Sequence, residues 1–280
     1  NDNEATVETR TQLSIPVSAD QLLLLHIKID DEQTRAFQLT YANVDAYEAL
    51  QQKVLRFPVG AGASQSRLAD INADGALDAV ISDPLADVLD VLAGNGDGTF
   101  QSPREYQVGA SASFLGTDLE LPTYRRDLLL ADFNHDGHVD ALTANFSASD
   151  ISLILGRGDG TFSGQRRFNA TAAPFALASG DVDGDGNLDV VIHDSLRTSN
   201  SHGNLAVLLG RGDGTFKPQR VSPSPISTAS FWPGIALGKI DGDEVLDLVV
   251  VGDLETKGGA VLLGKGDGTF QQSLPLPIIG

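Results

Sequence analysis

The sequence predicts an all-β fold: a β-propeller of four-stranded antiparallel blades. The ring has five blades if this chain holds all of it; the alternative is a fragment of a seven-bladed ring. Three observations predict this. The motif G-x-G-D-G-T-F occurs four times, ending at Phe100, Phe162, Phe216 and Phe270. An acidic nonapeptide precedes each copy: DINADGALD (70–78), DFNHDGHVD (132–140), DVDGDGNLD (181–189) and KIDGDEVLD (239–247). Short runs rich in Val, Ile and Leu, punctuated by Gly, fill the space between. Successive nonapeptides start 62, 49 and 58 residues apart, and the phenylalanines lie 62, 54 and 54 apart. Tandem copies at such a period are the mark of a repeated supersecondary unit.

Within a unit the elements follow in order. An apolar run leads into the acidic loop and a second follows it. A third ends at the glycine turn, and a fourth starts at the turn phenylalanine. Glycines tolerate the positive φ that a tight hairpin demands, and the phenylalanine is placed to pack between blades. The first 57 residues lack the acidic loop but offer strands at 12–17, 22–29, 35–41 and 54–59. Asp45 and Glu48 have the spacing of a capping box, which predicts a short helix through Leu55. The organisation expected is one domain over 1–280. Residues 1–57 form a degenerate first blade with a helical insertion, and the repeat blades lie at 58–110, 111–170, 171–222 and 223–280.

Composition excludes some roles. Acidic residues outnumber basic ones 38 to 19, for a net charge of -19. Such a surface repels nucleic acid and anionic lipid. No run approaches the ~18 apolar residues of a membrane span. Cysteine is absent, so neither a disulfide framework nor a thiolate metal site exists. Methionine is absent too, which reads as a processed or trimmed chain.

The acidic loops carry the chemistry. In D-x-[DN]-x-D-G-x-x-D, oxygen ligands alternate at positions 1, 3 and 5. Glycine at 6 permits a sharp turn, and a carbonyl at 7 and a carboxylate at 9 close the site. Three or four carboxylates within nine residues repel one another unless a cation sits among them. Oxygen-only ligation points to a hard cation, and the ligand count favours Ca²⁺ over Mg²⁺. An EF-hand would need Glu at position 12, where this chain has Ile81, Thr143 and Ile192.

Acidic loops combined with G-D-G-T-F resemble the FG-GAP (VCBS-type) repeats, the calcium-bearing blades of integrin α-subunit propellers and many secreted proteins. The resemblance runs from about Phe57 to Phe270. It implies about three calcium ions. Site one would comprise Asp70, Asn72, Asp74, the Ala76 carbonyl and Asp78. Site two would comprise Asp132, Asn134, Asp136, the His138 carbonyl and Asp140. Site three would comprise Asp181, Asp183, Asp185, the Asn187 carbonyl and Asp189. The fourth loop departs from the pattern, with Lys239 at position 1 and Glu244 at position 6. Its ammonium is expected among Asp241, Asp243 and Asp247 in place of a metal, leaving a weak or degenerate site.

Other candidates are weaker. Two turn copies contain Arg-Gly-Asp (157–159 and 211–213), a tripeptide used elsewhere in cell adhesion, but Asn95 and Lys265 fill the arginine slot in the other two. A structural turn is therefore expected. Of the histidines His26, His135, His138, His193 and His202, only His193, followed by Asp194, suggests a base, and no nucleophile motif accompanies it. Trp232 and Tyr124 are candidate sugar platforms, although packing is the commoner role. Asn145-Phe-Ser and Asn169-Ala-Thr are glycosylation sequons. The preferred function is a secreted or cell-surface, non-catalytic scaffold for binding or adhesion, lectin-like in kind. Its partner would be an extracellular protein or carbohydrate, with this chain expected to belong to a larger chain or assembly. The alternatives are a propeller-type polysaccharide lyase or hydrolase, and a structural unit of a surface assembly.

Overall fold

The computed structural model describes residues 11–18, 21–30, 36–43, 55–109, 127–194, 203–225, 234–252, 259–271 and 274–276. These form five four-stranded sheets, each an antiparallel meander. Sheet one holds β1 (Thr11–Ser18), β2 (Gln21–Asp30), β3 (Ala36–Asn43) and β4 (Leu55–Pro58). Sheet two holds β5 (Gln65–Ala69), β6 (Asp78–Asp83), β7 (Val88–Leu92) and β8 (Arg104–Gln107). Sheet three holds β9 (Leu128–Ala131), β10 (Asp140–Asn145), β11 (Asp150–Ile154) and β12 (Arg166–Asn169). Sheet four holds β13 (Pro174–Gly180), β14 (Asp189–Asp194), β15 (Asn204–Leu208) and β16 (Arg220–Pro223). Sheet five holds β17 (Gly234–Gly238), β18 (Asp247–Val251), β19 (Gly259–Leu262) and β20 (Leu274–Leu276). The expected helix after Asp45 lies outside the described residues, as do Tyr124, His202 and Trp232.

In sheets two to four the second and third strands are buried and the fourth faces solvent. Strands β6, β10 and β14 are buried along their whole length, whereas β8, β12 and β16 are almost wholly exposed. Each of these middle strands carries three apolar residues (DAVISD, DALTAN, DVVIHD), and the polar residues of the strand are buried beside them. Alternation then shares out the side chains. In β14, Val190 and Ile192 pack with Leu142 and Leu153 of sheet three, while Val191 packs with Leu248 and Val250 of sheet five. In β10, Leu142 and Ala144 face sheet four and Ala141 faces Leu89 and Val91 of sheet two. Sheet two meets the end of sheet one through Ile81, Leu92 and Phe57. Each such aliphatic burial contributes roughly 1.5–3 kcal/mol, so the cores lie between sheets rather than within them.

The glycine turns join β7 to β8, β11 to β12, β15 to β16 and β19 to β20. Each is closed by a one-residue bridge from glycine to phenylalanine, such as Gly156 to Phe162. The amide of the variable residue donates to the threonine carbonyl: Asn95 to Thr99, Arg157 to Thr161, Arg211 to Thr215 and Lys265 to Thr269, at 2.9–3.0 Å. Gly158 and Gly160 sit at φ 71° and 78°, a region that side chains with a Cβ occupy only with strain. Three turn phenylalanines meet an aromatic ring of the preceding sheet edge-on: Phe100 with Phe57, Phe162 with Tyr106 and Phe216 with Phe168, at 5.0–5.3 Å.

The turns explain the Arg-Gly-Asp copies. Asp159 Oδ1 accepts from the Thr161 amide at 2.9 Å and from its hydroxyl at 2.5 Å. Asp97, Asp213 and Asp267 repeat the pair with Thr99, Thr215 and Thr269. The threonine hydroxyl and amide hold Asp159 below the usual carboxylate range. Its carboxylate is turned into its own loop. Arg157→Asn is therefore expected to leave the melting temperature unchanged, whereas Gly160→Val costs about 1–3 kcal/mol by denaturant titration. Adhesion is checked with the Arg157→Asn, Arg211→Asn double variant: cell spreading lost at unchanged stability would contradict the turn reading.

Candidate metal centre

The acidic loops connect β5 to β6, β9 to β10, β13 to β14 and β17 to β18. Each folds around its own carboxylates. The position-1 carboxylate of Asp70 accepts the Asp74 and Gly75 amides at 3.1 and 2.9 Å. Asp132 takes those of Asp136 and Gly137 at 3.2 and 2.9 Å, and Asp181 those of Asp185 and Gly186 at 3.1 and 2.9 Å. The position-5 aspartates accept the position-7 amides, Ala76, His138 and Asn187, at 2.8, 2.8 and 2.9 Å. Glycine at 6 (Gly75, Gly137, Gly186) has φ of 84–86°, which completes the reversal.

Position 9 does something the motif did not announce. Asp78, Asp140, Asp189 and Asp247 are at most 1 % exposed. Each spends one oxygen on the amide of position 2: Ile71, Phe133, Val182 or Ile240, at 2.7–2.9 Å. The other oxygen takes the amide of the first turn glycine: Gly94, Gly156, Gly210 or Gly264, at 2.7–2.9 Å. One buried carboxylate thus ties acidic loop to glycine turn in every repeat sheet. At these glycines a Cβ would come within 2.2–2.3 Å of a backbone oxygen (Leu77, Val139, Leu188 or Leu246), so only glycine fits.

The expected site residues gather as follows. In site three, ligand oxygens of Asp181, Asp183 and Asp189 converge within 4.8 Å of one another. Burial pushes Asp189 up to about 6, against the pull of the Gly210 and Val182 amides and with the charges of Asp183 and Asp185 adding to it. Asp140 is raised to about 6 in the same way, by burial and then by Asp136 and Asp132. Crowded carboxylates with raised pKa values are what a cation would relieve, and an all-oxygen donor set fits a hard one. In sites one and two, Asn72 and Asn134 fasten position 3 to position 5, each Nδ2 donating to Asp74 or Asp136 at 2.8 Å. His138 lies against Gly158 of its own turn. His135 Nε2 meets Asn187 Oδ1 at 3.2 Å, joining loop two to loop three.

Loop four differs from the expectation. Lys239 Nζ pairs with Glu244, not with Asp241, Asp243 and Asp247. Both residues that depart from the motif are exposed and satisfy one another, while Asp247 keeps the Ile240 and Gly264 amides and adds that of Asp241 at 3.3 Å. The loop retains the turn anchor and loses the position-1 carboxylate.

Two other sequence candidates are internal. Asn145 is fully buried, its Nδ2 donating to Asp150 and Ser152 at 2.7 and 2.8 Å, so this sequon is closed to modification in the folded chain. His193 is fully buried, with Nε2 2.8 Å from Ser224 Oγ, and burial lowers its pKa from 6.5 to about 4. A base depressed in the fold refuses the proton that the unfolded chain accepts. Stability is therefore flat above about pH 6.5 and is lost as pH falls towards 4, by up to ~3 kcal/mol. Urea unfolding at pH 7 and 4.5 should show a smaller loss for His193→Gln than for the parent; equal losses would contradict the buried neutral imidazole.

Comparison with known proteins supports the loop-and-turn unit. No curated protein sequence matches the chain. Among solved structures it is similar to a functionally unknown protein from Desulfotomaculum acetoxidans DSM 771. That match has a TM-score of 0.58 and 11% identity, over 90% of this chain and 67% of that one. It is also similar to 1,3Gal43A, an exo-β-1,3-galactanase from Clostridium thermocellum (TM-score 0.49, 10% identity, 95% of this chain and 64% of that one). A third match is the Photorhabdus luminescens Tc holotoxin pore (TM-score 0.42, 17% identity), of which the chain spans 13%. At 11% identity the first of these likenesses is one of fold. The family model of the FG-GAP-like repeat matches residues 132–192, from the first aspartate of loop two to the strand beyond loop three. Residues 132–192 are an FG-GAP-like repeat.

Proposed function

We propose that the five sheets are blades of one propeller, that loops one to three each hold calcium, and that the protein is a secreted or cell-surface scaffold binding an extracellular protein or carbohydrate. The observation that carries the reading is the shared anchor. In each repeat sheet the acidic loop is tied through the position-9 aspartate to the glycine turn. The turns of sheets four and five then rest on the loop of the preceding sheet. The Gly214 amide donates to the Phe133 carbonyl at 3.3 Å, and the Gly268 amide to the Val182 carbonyl at 3.1 Å. Arg166 Nη1 reaches the Asp213 carbonyl at 3.2 Å, and Arg220 Nη1 the Asp267 carbonyl at 2.6 Å. An ion held by a loop would therefore stiffen the contact between blades as well as the loop.

Asp70, Asp74 and Asp78 would hold the ion at site one, Asp132, Asp136 and Asp140 at site two, and Asp181, Asp183, Asp185 and Asp189 at site three. The carbonyls of Ala76, His138 and Asn187 would complete the sets. Asn72 and Asn134 would keep positions 3 and 5 together. Bound calcium supplies charge neutralisation and cross-linking of the loop. The burial of His193, the single base candidate of the sequence, favours a non-catalytic role. The net charge of -19 favours partners other than nucleic acid or anionic membrane. Among the described residues no helix is long and apolar enough to cross a membrane.

Binding to the folded state alone stabilises by about 2.7 kcal/mol per site at 100-fold excess over Kd. Three sites should raise the melting temperature by more than about 10 °C between EGTA and millimolar calcium. Metal analysis should show that Asp185→Ala loses one bound calcium and Asp243→Ala loses none. An unchanged melt, or equal calcium losses, would overturn the assignment. Screening the calcium-loaded protein on a glycan array then separates carbohydrate from protein partners.

A further inference from the structure

We propose that Lys217 is an exchangeable clasp of the third loop, holding Asp183 and Asp185 together when no metal is bound and leaving when an ion enters. The inference rests on the cation reading of that loop. Residues 101, 163, 217 and 271 each follow a turn phenylalanine, and they are Gln, Ser, Lys and Gln. Only the third carries charge. The Lys217 amide donates to the Leu209 carbonyl at 2.7 Å, which fixes the backbone beside the loop of its own sheet. Its Nζ lies 3.5 Å from Asp183 Oδ2 and 3.3 Å from Asp185 Oδ2.

The reason is visible in the other two loops. There position 3 is asparagine, and its Nδ2 donates to the Oδ2 of the position-5 aspartate at 2.8 Å. Loop three has Asp183 at position 3, which has no donor and adds a negative charge. Lys217 supplies both missing things: a donor to Asp185 Oδ2 and a positive charge that brings the loop to the same net charge as loops one and two. Asp183 belongs to the set that converges on the metal position, so an ion and the ammonium compete for it. The ammonium is partly exposed (38 % for the side chain), so it can swing into water without breaking a core contact.

Lys217→Met separates the two roles. In EGTA the variant should melt below the parent, because two carboxylates lose their counter-charge. Adding Asp183→Asn should restore that melt, since asparagine brings the donor used in loops one and two. Calcium affinity should move the other way. In a background carrying Asp74→Ala and Asp136→Ala, calorimetric titration should find Kd at the remaining site about fivefold tighter in Lys217→Met than with Lys217, the size expected for removing one exposed competing ion pair. Calcium binding with unchanged or weaker affinity would overturn the clasp and leave the cation reading standing. Absence of calcium binding by the unmodified chain would overturn both.

Discussion

The fold depends on a carboxylate that water does not reach. Asp78, Asp140, Asp189 and Asp247 are each buried with both oxygens taken by backbone amides, one from the acidic loop and one from the glycine turn of the same sheet. A buried charge is costly unless it is fully hydrogen-bonded, and bonds to a charged acceptor are worth about 1.5–3 kcal/mol each. The arrangement meets that condition and turns it into specificity. Position 2 of the acidic loop and the first glycine of the turn have to arrive at one point, which sets the register of the strands between them. Loop four has lost the first carboxylate, yet Asp247 still takes the Ile240 and Gly264 amides.

From that anchor the rest of the interface follows. The turn is pinned to its own loop, so its phenylalanine and third glycine are carried against the preceding sheet. There Phe162 meets Tyr106 and Gly214 meets the Phe133 carbonyl. The middle strands then face apolar neighbours on both sides, which is why the large fully buried side chains include Leu89, Leu142, Leu153 and Ile192. The Arg-Gly-Asp tripeptide is a by-product of this geometry: glycine for positive φ, aspartate to collect the threonine, arginine in the one slot with no structural demand.

Much of this was legible because it is local. Spacing located the acidic loops and turns, and apolar runs located the strands. The first sheet has no acidic loop to mark it, yet β1 to β4 fall at the strand candidates near 12, 22, 35 and 54. What escaped are contacts closed over long stretches of chain. The turn amide lies 16 or more residues beyond its aspartate. Lys217 lies 34 residues beyond Asp183, and Ser224 lies 31 beyond His193. A motif reports which side chains are near in sequence, so Asp189 read only as a ligand and its second duty stayed hidden. Lys239 shows the converse: a charge change at position 1 was seen, but its partner, Glu244, was the other departure and not the remaining aspartates.

Asp247 allows the anchor to be tested apart from any ion, because its loop lacks the first ligand. Amide hydrogen exchange at Gly264 and Ile240, in EGTA, compares the parent with Asp247→Ala. Both amides should be strongly protected in the parent and lose protection in the variant, with stability lower by about 3–5 kcal/mol. Protection of both amides at unchanged stability in the variant would contradict the anchor.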